Sequence, residues 1–352
     1  MNDISNELKS RTVSLDIARV IAIAAVIMIH VSVSFVVNFE IGSLEFVFGN
    51  IFDSISRIGV PLFVMTSGAL MLNENSKFSI KKLFTKRITQ LVVLLIIWSG
   101  LYVIAFEIAL PFLQGENLDF KSIISSWIFG HYHLWYLYMQ IGLYIALPFL
   151  RIFACKKNKN LVLLYLLISV LVQFTIPLLK SASLYIGYAD TFINFIDQFK
   201  LGYFNIFISY YLAGWYIVHV GVSQKEKRIV IYLVATVSLL TTILYVCFTK
   251  DYGNAYSNEN LLIFLYSIGV FVLLNQFKNI PNHYRILTLL SKCSFGMYVT
   301  HVAVLFVINY ILPNAIIAPI YMLICFILTF FISFFITWIL SKIPLVKRMV
   351  RM

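Results

Sequence analysis

The chain has 352 residues, of which 61% are hydrophobic and 12% charged, whereas about a quarter of the residues of a soluble domain are charged. This composition and the mean hydropathy of +0.90 exclude a water-soluble or disordered protein and leave room for about ten membrane crossings. The net charge of +12 is typical either of nucleic-acid binding or of basic loops in a membrane protein, and the positions of the basic residues distinguish the two.

Apolar stretches long enough to cross a bilayer follow one another along the whole chain. They predict an all-α integral membrane protein with about ten transmembrane helices, in a single domain over residues 1–352 without a separate soluble domain. The predicted spans are 13–37, 44–72, 88–110, 134–150, 161–179, 203–220, 229–248, 261–277, 295–312 and 315–340. The first span contains charged residues and is not followed by a small-residue cleavage site, so we expect it to stay in the protein.

Basic residues concentrate in alternate loops. Of the 27 Lys and Arg residues, 21 lie at the termini or in the loops after spans two, four, six and eight, and four lie in the opposite loops. Basic loops face the cytoplasm, so we predict that both termini are cytoplasmic and that no nucleic acid is bound.

His219 and His283 fall at loop junctions, where we expect solvated side chains. The four cysteines lack the spacing of a disulfide framework or metal site, and we predict neither.

The remaining two basic residues, Arg19 and Arg57, fall inside predicted spans. A charge at membrane depth costs about 2.5 kcal/mol or more, so it usually faces protein or water and marks a function. Arg19 and His30 lie on one helix face about 16 Å apart along the axis, and Asp16 can pair with Arg19. Arg19 suits a phosphate-bearing substrate, and His30 suits a base at the far end of an extended molecule such as acyl-coenzyme A. Alternatively, Arg19 is an interfacial anchor and His30 an interhelical hydrogen-bonding residue.

Arg57 is predicted at a depth similar to that of His30, about 16 Å below the external surface. Asp53, one turn earlier, can neutralise it as an i, i+4 pair, which would make Arg57 structural. In the functional interpretation, Arg57 is a cation beside a reacting carbonyl or a clamp for the substrate. Ser67 and Gly68, on the same span, permit close helix approach or hydrogen bonding.

Histidines and aromatic residues cluster in residues 131–137, at the external mouth of the fourth span. Trp135 and Tyr136 are typical of an interfacial aromatic belt, and they also suit stacking on a sugar. His131 and His133 lack a third ligand nearby in the sequence, which argues against a metal site.

Taken together, these motifs resemble the membrane-bound acyltransferase-3 superfamily, especially its compact branch of surface-glycan O-acetyltransferases related to the enterobacterial common antigen O-acetyltransferase. Arg19 and His30, with ten residues between them, are the most specific part of the resemblance. The matching segments, in chain order, are Ser14-Leu-Asp-Ile-Ala-Arg19, Ser56-Arg57-Ile-Gly-Val-Pro-Leu-Phe-Val-Met-Thr-Ser67-Gly68, His133-Leu-Trp135-Tyr136-Leu and Ser294-Phe-Gly-Met-Tyr298-Val-Thr-His301.

The resemblance implies a multi-pass protein of the bacterial plasma membrane that moves an acetyl or other acyl group from cytoplasmic acyl-coenzyme A (acetyl-CoA) to a hydroxyl of a cell-surface or secreted polysaccharide. Its implied partners are acyl-CoA, a surface glycan or lipid-linked sugar and the lipid bilayer, without a tightly bound cofactor. By position, His30 is the implied base, Arg57 a further catalytic residue and Arg19, with Asp16 beside it, the donor-binding residue. The implied substrate-binding residues are Trp135, His133, Tyr136, Ser67 and His301.

We expect the coenzyme A head to bind at the basic cytoplasmic face, where Arg19 is helped by residues such as Lys81, Lys82 or Arg87. His30 would deprotonate the acceptor hydroxyl, and attack on the thioester would give an oxyanion stabilised by a nearby donor. The candidate donors are Arg57, Ser67 and His301. A route through an acyl-histidine intermediate is an alternative.

Two other functions stay open from the sequence. A transporter or flippase for a polysaccharide or lipid-linked sugar would also place His30 and Arg57 along its path, although no internal repeat indicates two transporter halves. A structural partner in a cell-wall synthesis complex would need neither residue. The chain also departs from the larger branch of the superfamily, because residues 137–142 read Leu-Tyr-Met-Gln-Ile-Gly where that branch has a Glu-Glu pair.

Overall fold

The structure is a computed structural model that describes residues 13–186, 191, 194–195, 198–199, 202, 205–222, 224–279, 284–312, 317–344 and 346–350. His283, predicted to be solvated, lies outside the described residues. Throughout the described part of the chain the regular structure is helical, without strands. The predicted all-α membrane fold is confirmed.

The main helices are α1 Val13–Asn38, α2 Leu44–Ser56, α3 Gly59–Met71, α4 Ile80–Gln114, α5 Phe120–Phe129, α6 Trp135–Phe153, α7 Lys159–Ile186, α8 Ile206–His219, α9 Lys225–Thr249, α10 Leu261–Leu274, α11 Arg285–Ile311 and α12 Ala318–Leu340. Two π-helical stretches, Leu83–Ile88 and Ile104–Ala109, interrupt α4, and a 3-10 turn, Tyr132–Leu134, precedes α6.

In the described residues, each of the ten predicted spans overlaps a helix. Eight stretches of the described chain are long and apolar enough to cross a bilayer, with α2 and α3 forming one of them and α5 and α6 another. The fifth and sixth predicted spans correspond to α7 and to α8, which has only 14 residues. The third span begins earlier than predicted, at Ile80, because the helix continues through charged residues that end the apolar run, and its backbone hydrogen bonds do not depend on side-chain polarity. The fourth predicted span matches α6, which begins at Trp135, and the separate helix α5 before it is capped by Gly130 and was not predicted.

The second span is broken near its middle. α2 ends at Ser56 and α3 begins at Gly59, so Arg57 lies at the joint between two helices. In a continuous helix, the backbone N–H of residue 61 would donate a hydrogen bond to the carbonyl of Arg57. Pro61 has no backbone N–H and cannot form this bond. The side chain of Arg57 is 15% exposed.

α1 lies at the centre of the bundle and packs against α2, α3, α11 and α12. Ala18 and Ala22 are fully buried on it, and their small side chains allow neighbouring helices to approach closely. Because α1 contains both Arg19 and His30, this central position surrounds them with other helices.

α3 and α8 pack with their backbones almost in contact. A Cβ atom on Gly68 would lie 1.9 Å from the carbonyl oxygen of Tyr211, and a Cβ atom on Gly214 would lie 2.0 Å from that of Met65. Small residues at helix crossings give membrane helices the close packing that hydrophobic burial cannot supply in lipid. The two glycines therefore fix the separation of α3 and α8.

We predict that Gly214→Ala destabilises the protein by about 1–3 kcal/mol, because the added methyl group overpacks the crossing. Gly142→Ala is the matched control, since a Cβ atom on Gly142 meets nothing within 4 Å and Ala favours a helix over Gly by up to about 1 kcal/mol. Thermal unfolding of the purified protein in detergent measures both. Equal unfolding temperatures for Gly214→Ala and wild type would contradict this packing.

Candidate active site

Four histidines from separate parts of the chain meet in one cluster. His30 lies on α1, His131 and His133 lie just before α6, and His301 lies on α11. The ring centroids of His30 and His301 are 5.0 Å apart, those of His133 and His301 are 5.5 Å apart, and the Nδ1 atoms of His131 and His133 are 3.0 Å apart. The structure thus brings the three predicted site histidines together and adds His131.

His301 is fully buried, and its hydrogen bonding defines its tautomer. Its Nδ1 atom lies 2.6 Å from the carbonyl oxygen of Tyr298 and therefore donates to it. Its Nε2 atom is buried without a hydrogen-bond partner among the described residues. In the neutral ring this nitrogen has a lone pair, so His301 presents a proton acceptor to the cluster.

Tyrosines surround the histidine rings. Tyr102 stacks on His131 with centroids 4.6 Å apart, and its hydroxyl donates to the carbonyl of Val299 at 2.9 Å. Tyr298 donates to the carbonyl of His133 at 2.6 Å. Both hydroxyls thus have partners and hold the loop before α6 against α4 and α11. The sequence analysis did not identify Tyr102 as part of the site. The only sign of such a role in the sequence is its hydroxyl group within an apolar run.

A cavity of about 520 Å³ lies beside this cluster. Three of the residues that line it are basic, namely Arg19, Arg87 and Lys292. Each lies near the start of a helix whose first turn is predicted to face the cytoplasm. Arg19 and Arg87 were expected to act together at a donor site, and they share this cavity. Lys292 was placed only among the cytoplasmic loop residues, because sequence spacing gives no indication that α11 packs beside α1.

The cavity ends near the histidine cluster, at residues of two neighbouring helices. On α6, Gln140 and Tyr136 line it, and His133 follows about one turn further. On α11, Tyr298 lines it, and His301 follows about one turn further. The rings of Tyr136 and Tyr298 lie 5.4 Å apart, and Tyr298 also contacts the ring of His133 at 5.7 Å. The two tyrosines therefore form the wall between the cavity and the cluster.

The predicted pair of Asp16 and Arg19 is present. Nη1 of Arg19 lies 3.9 Å from Oδ1 of Asp16, and Asp16 is almost fully buried while Arg19 is 30% exposed. The same carboxylate oxygen accepts a hydrogen bond of 2.6 Å from Ser291 on α11. Asp16 thus links α1 to α11 and holds the guanidinium of Arg19 at the cavity wall.

Ser67 also lines the cavity, where its hydroxyl accepts a hydrogen bond of 3.1 Å from the amide of Gln140. Gln140 belongs to the segment that stands where the larger branch of the superfamily has a Glu-Glu pair. It is buried, and its amide oxygen has no partner among the described residues. An uncharged amide with a spare acceptor therefore occupies this part of the wall.

Arg57 lies in a network of its own. It forms an ion pair with the fully buried Asp53, donates to the carbonyl of Tyr256 at 3.3 Å and lies over the Tyr256 ring at 4.3 Å. These contacts agree with the structural interpretation. The catalytic role of Arg57 stays a prediction.

Trp135 and His219 lie outside the histidine cluster. Trp135 is 39% exposed and packs against Phe207 on α8, with centroids 5.8 Å apart, which agrees with an interfacial aromatic. His219, expected to be solvated, instead donates from Nε2 to the carbonyl of Ala69 at 2.7 Å in a partly buried position. The difference arises because α8 and α3 pack so closely, a contact that spacing along the chain does not indicate.

The whole arrangement can be compared with known proteins. A family model described as an acyltransferase domain, the acyltransferase-3 family, matches residues 12–338. The chain therefore belongs to this family and is a membrane acyltransferase. Searches of curated proteins and of solved structures gave no match.

We predict that Arg57→Met destabilises the protein by about 3–5 kcal/mol, because it leaves the buried Asp53 carboxylate without its partner. The double variant Arg57→Met with Asp53→Asn should recover much of this loss. Chemical or thermal unfolding in detergent measures both variants. A single variant as stable as wild type would show that the ion pair is not structural. A double variant that is stable but has lost acyl transfer would favour the functional role of Arg57.

Proposed function

We propose that the protein is a membrane O-acyltransferase of a bacterial plasma membrane that transfers an acetyl or other acyl group from cytoplasmic acyl-CoA to a hydroxyl of a surface glycan or lipid-linked sugar. Family membership supports acyl transfer. The observation that supports this donor and this base is the basic cavity that ends about one helical turn from the histidine cluster, with Tyr136 and Tyr298 between them.

The cavity suits a long anionic donor. Arg19, Arg87 and Lys292 give it a positive end, and guanidinium groups bind phosphate oxygens through paired hydrogen bonds. His30 lies about 16 Å from Arg19 along α1, so a donor whose phosphates bind at Arg19 needs an extended arm to bring its thioester to the base. Coenzyme A has this combination of phosphates and a long arm.

The acceptor would arrive from the opposite side. Tyr132 is 60% exposed, and its ring lies 5.4 Å from the His30 ring. His30 is itself partly exposed and lies at the end of the cluster remote from Arg19, Arg87 and Lys292. A hydroxyl that enters beside Tyr132 reaches the base without passing through the donor cavity.

The reaction then follows from these positions. His30 takes the hydroxyl proton as the oxygen attacks the thioester carbon. The new C–O bond forms, the C–S bond breaks, and the proton is returned to the departing thiolate. The apolar helices around the cluster limit the entry of water, which reduces thioester hydrolysis.

We predict that His30→Ala lowers acyl transfer by at least about a hundredfold, because general base catalysis supplies about 10²–10⁴-fold. His219→Ala is the control, since it removes a histidine outside the cluster. Thiol release from acyl-CoA is measured with purified protein in liposomes, with and without a glycan acceptor. Full activity of His30→Ala at normal protein level would contradict the base assignment, and glycan movement without a donor would support transport instead.

We predict that Arg19→Ala raises the KM for acyl-CoA about ten- to a hundredfold, since a charge-assisted hydrogen bond contributes about 1.5–3 kcal/mol. The kcat should change less, because Arg19 lies far from the reacting carbonyl. Lys227→Ala removes an exposed charge at the start of α9 and serves as the control. If steady-state kinetics at varied donor concentration show the same KM for Arg19→Ala and wild type, the donor assignment is wrong.

A further inference from the structure

The cavity beside the histidine cluster has neutral polar groups in its wall as well as basic ones. Two of them are serines of α11, and both already donate their hydroxyl protons within the protein. Ser291 donates to the carboxylate of Asp16 at 2.6 Å, and Ser294 donates to the backbone carbonyl of Ser291 at 2.9 Å. These serines therefore stabilise the α11 side of the cavity and have no further proton to offer a bound molecule.

The side of the cavity formed by α3 and α6 is different. The amide nitrogen of Gln140 donates to the hydroxyl of Ser67 at 3.1 Å, and both side chains line the cavity. Ser67 is the acceptor in this bond and is only partly buried, so it can still donate its own hydroxyl proton. Gln140 is 2% exposed, and its amide oxygen has no partner among the described residues. The pair thus has one donor and one acceptor to spare, and buried polar groups are nearly always paired.

The pair lies between the two ends of the cavity. On α6, Tyr136, Gln140 and Tyr144 line it at intervals of four residues, each about 6 Å of helix rise. On α11, Tyr298 and Lys292 line it about 9 Å apart along the axis. Tyr136 and Tyr298 stand at the end near the histidines, and Lys292 belongs to the basic end. Gln140 therefore lies about one turn from the tyrosine wall, on the side of the basic end.

We propose that Ser67 and Gln140 bind the amide groups in the arm of the acyl donor, and so select thioesters of the pantetheine type over thioesters of simple hydrocarbon thiols. The inference rests on the proposed function. The arm of coenzyme A carries two secondary amides between its phosphates and its sulfur. An N–H of the arm donates to the amide oxygen of Gln140, and Ser67 donates to a carbonyl of the arm. A hydrocarbon arm would leave both protein groups unpaired, which is unfavourable for buried polar groups.

The alternative is that the pair only joins α3 to α6. A structural role makes the loss of Gln140 equally harmful with every donor, whereas recognition makes the loss specific to donors that have amide N–H groups. A matched donor separates the two possibilities. In an acyl-CoA analogue whose arm amides are replaced by esters, each N–H becomes an oxygen atom, while the carbonyls and the phosphates stay. This analogue can still bind at the basic end and accept a hydrogen bond from Ser67.

The first test is steady-state kinetics of thiol release in liposomes with a glycan acceptor. We expect the wild-type kcat/KM to be about five- to tenfold higher for acyl-CoA than for the ester analogue, which is the contribution of one neutral hydrogen bond. Gln140→Leu keeps a side chain of similar size and should lose this preference. Ser67→Ala should lower kcat/KM for both donors alike, because both keep the carbonyls.

Gln276→Leu is the matched control. Gln276 lies outside this cavity and donates to the carbonyl of Val272 on α10, so this variant should keep the wild-type preference for acyl-CoA. Equal kcat/KM values for the two donors in wild type would overturn the proposal without any variant. An unchanged preference in Gln140→Leu would also overturn it.

The second test does not depend on turnover. Titration calorimetry in membrane discs measures the Kd of a thioether analogue of acyl-CoA and that of its ester counterpart. Wild type should bind the amide form about five- to tenfold more tightly, and Gln140→Leu should bind both forms equally. If this preference is found but no glycan acceptor gives thiol release, recognition of the arm stands and the proposed acyl transfer is wrong. If thiol is released without a preference between donors, acyl transfer stands and recognition by Ser67 and Gln140 is wrong.

Discussion

Hydrocarbon offers no hydrogen bond to a polar group, so each polar side chain inside a membrane helix must find its partner within the protein. This constraint organises the centre of the bundle. Asp16 joins Arg19 to Ser291, and Asp53 neutralises Arg57. The histidines gather where α1, α6 and α11 meet. The packing of these helices also concentrates the reactive side chains in one place.

The site has two chemically different ends. Arg19, Arg87 and Lys292 make one end positive, whereas the other end consists of imidazoles and tyrosines that can move or hold a proton. α1 connects them, because it lies at the centre and contains a residue of each end. This separation suits a two-substrate reaction in which an anionic donor and a neutral hydroxyl approach from opposite sides of the membrane.

Sequence periodicity and charge predicted the helical membrane fold, the approximate spans and the Asp16–Arg19 pair, because these depend on local spacing along one helix. These patterns did not predict the break at Arg57, where Pro61 lacks the backbone N–H that a continuous helix needs. They also did not predict the close packing of α3 and α8 at Gly214. The sequence also did not indicate that Lys292 and Tyr102 belong to the site, because their positions there arise from contacts between helices that are distant in the chain.

The most direct measurement is an electron cryomicroscopy structure of the protein in a membrane disc with an unreactive acyl-CoA analogue, in which a thioether replaces the thioester. The account predicts the phosphates beside Arg19, Arg87 and Lys292, with the arm passing Tyr136 and Tyr298 and the sulfur next to His30. An analogue bound elsewhere, or one whose sulfur lies away from the histidine cluster, would contradict it.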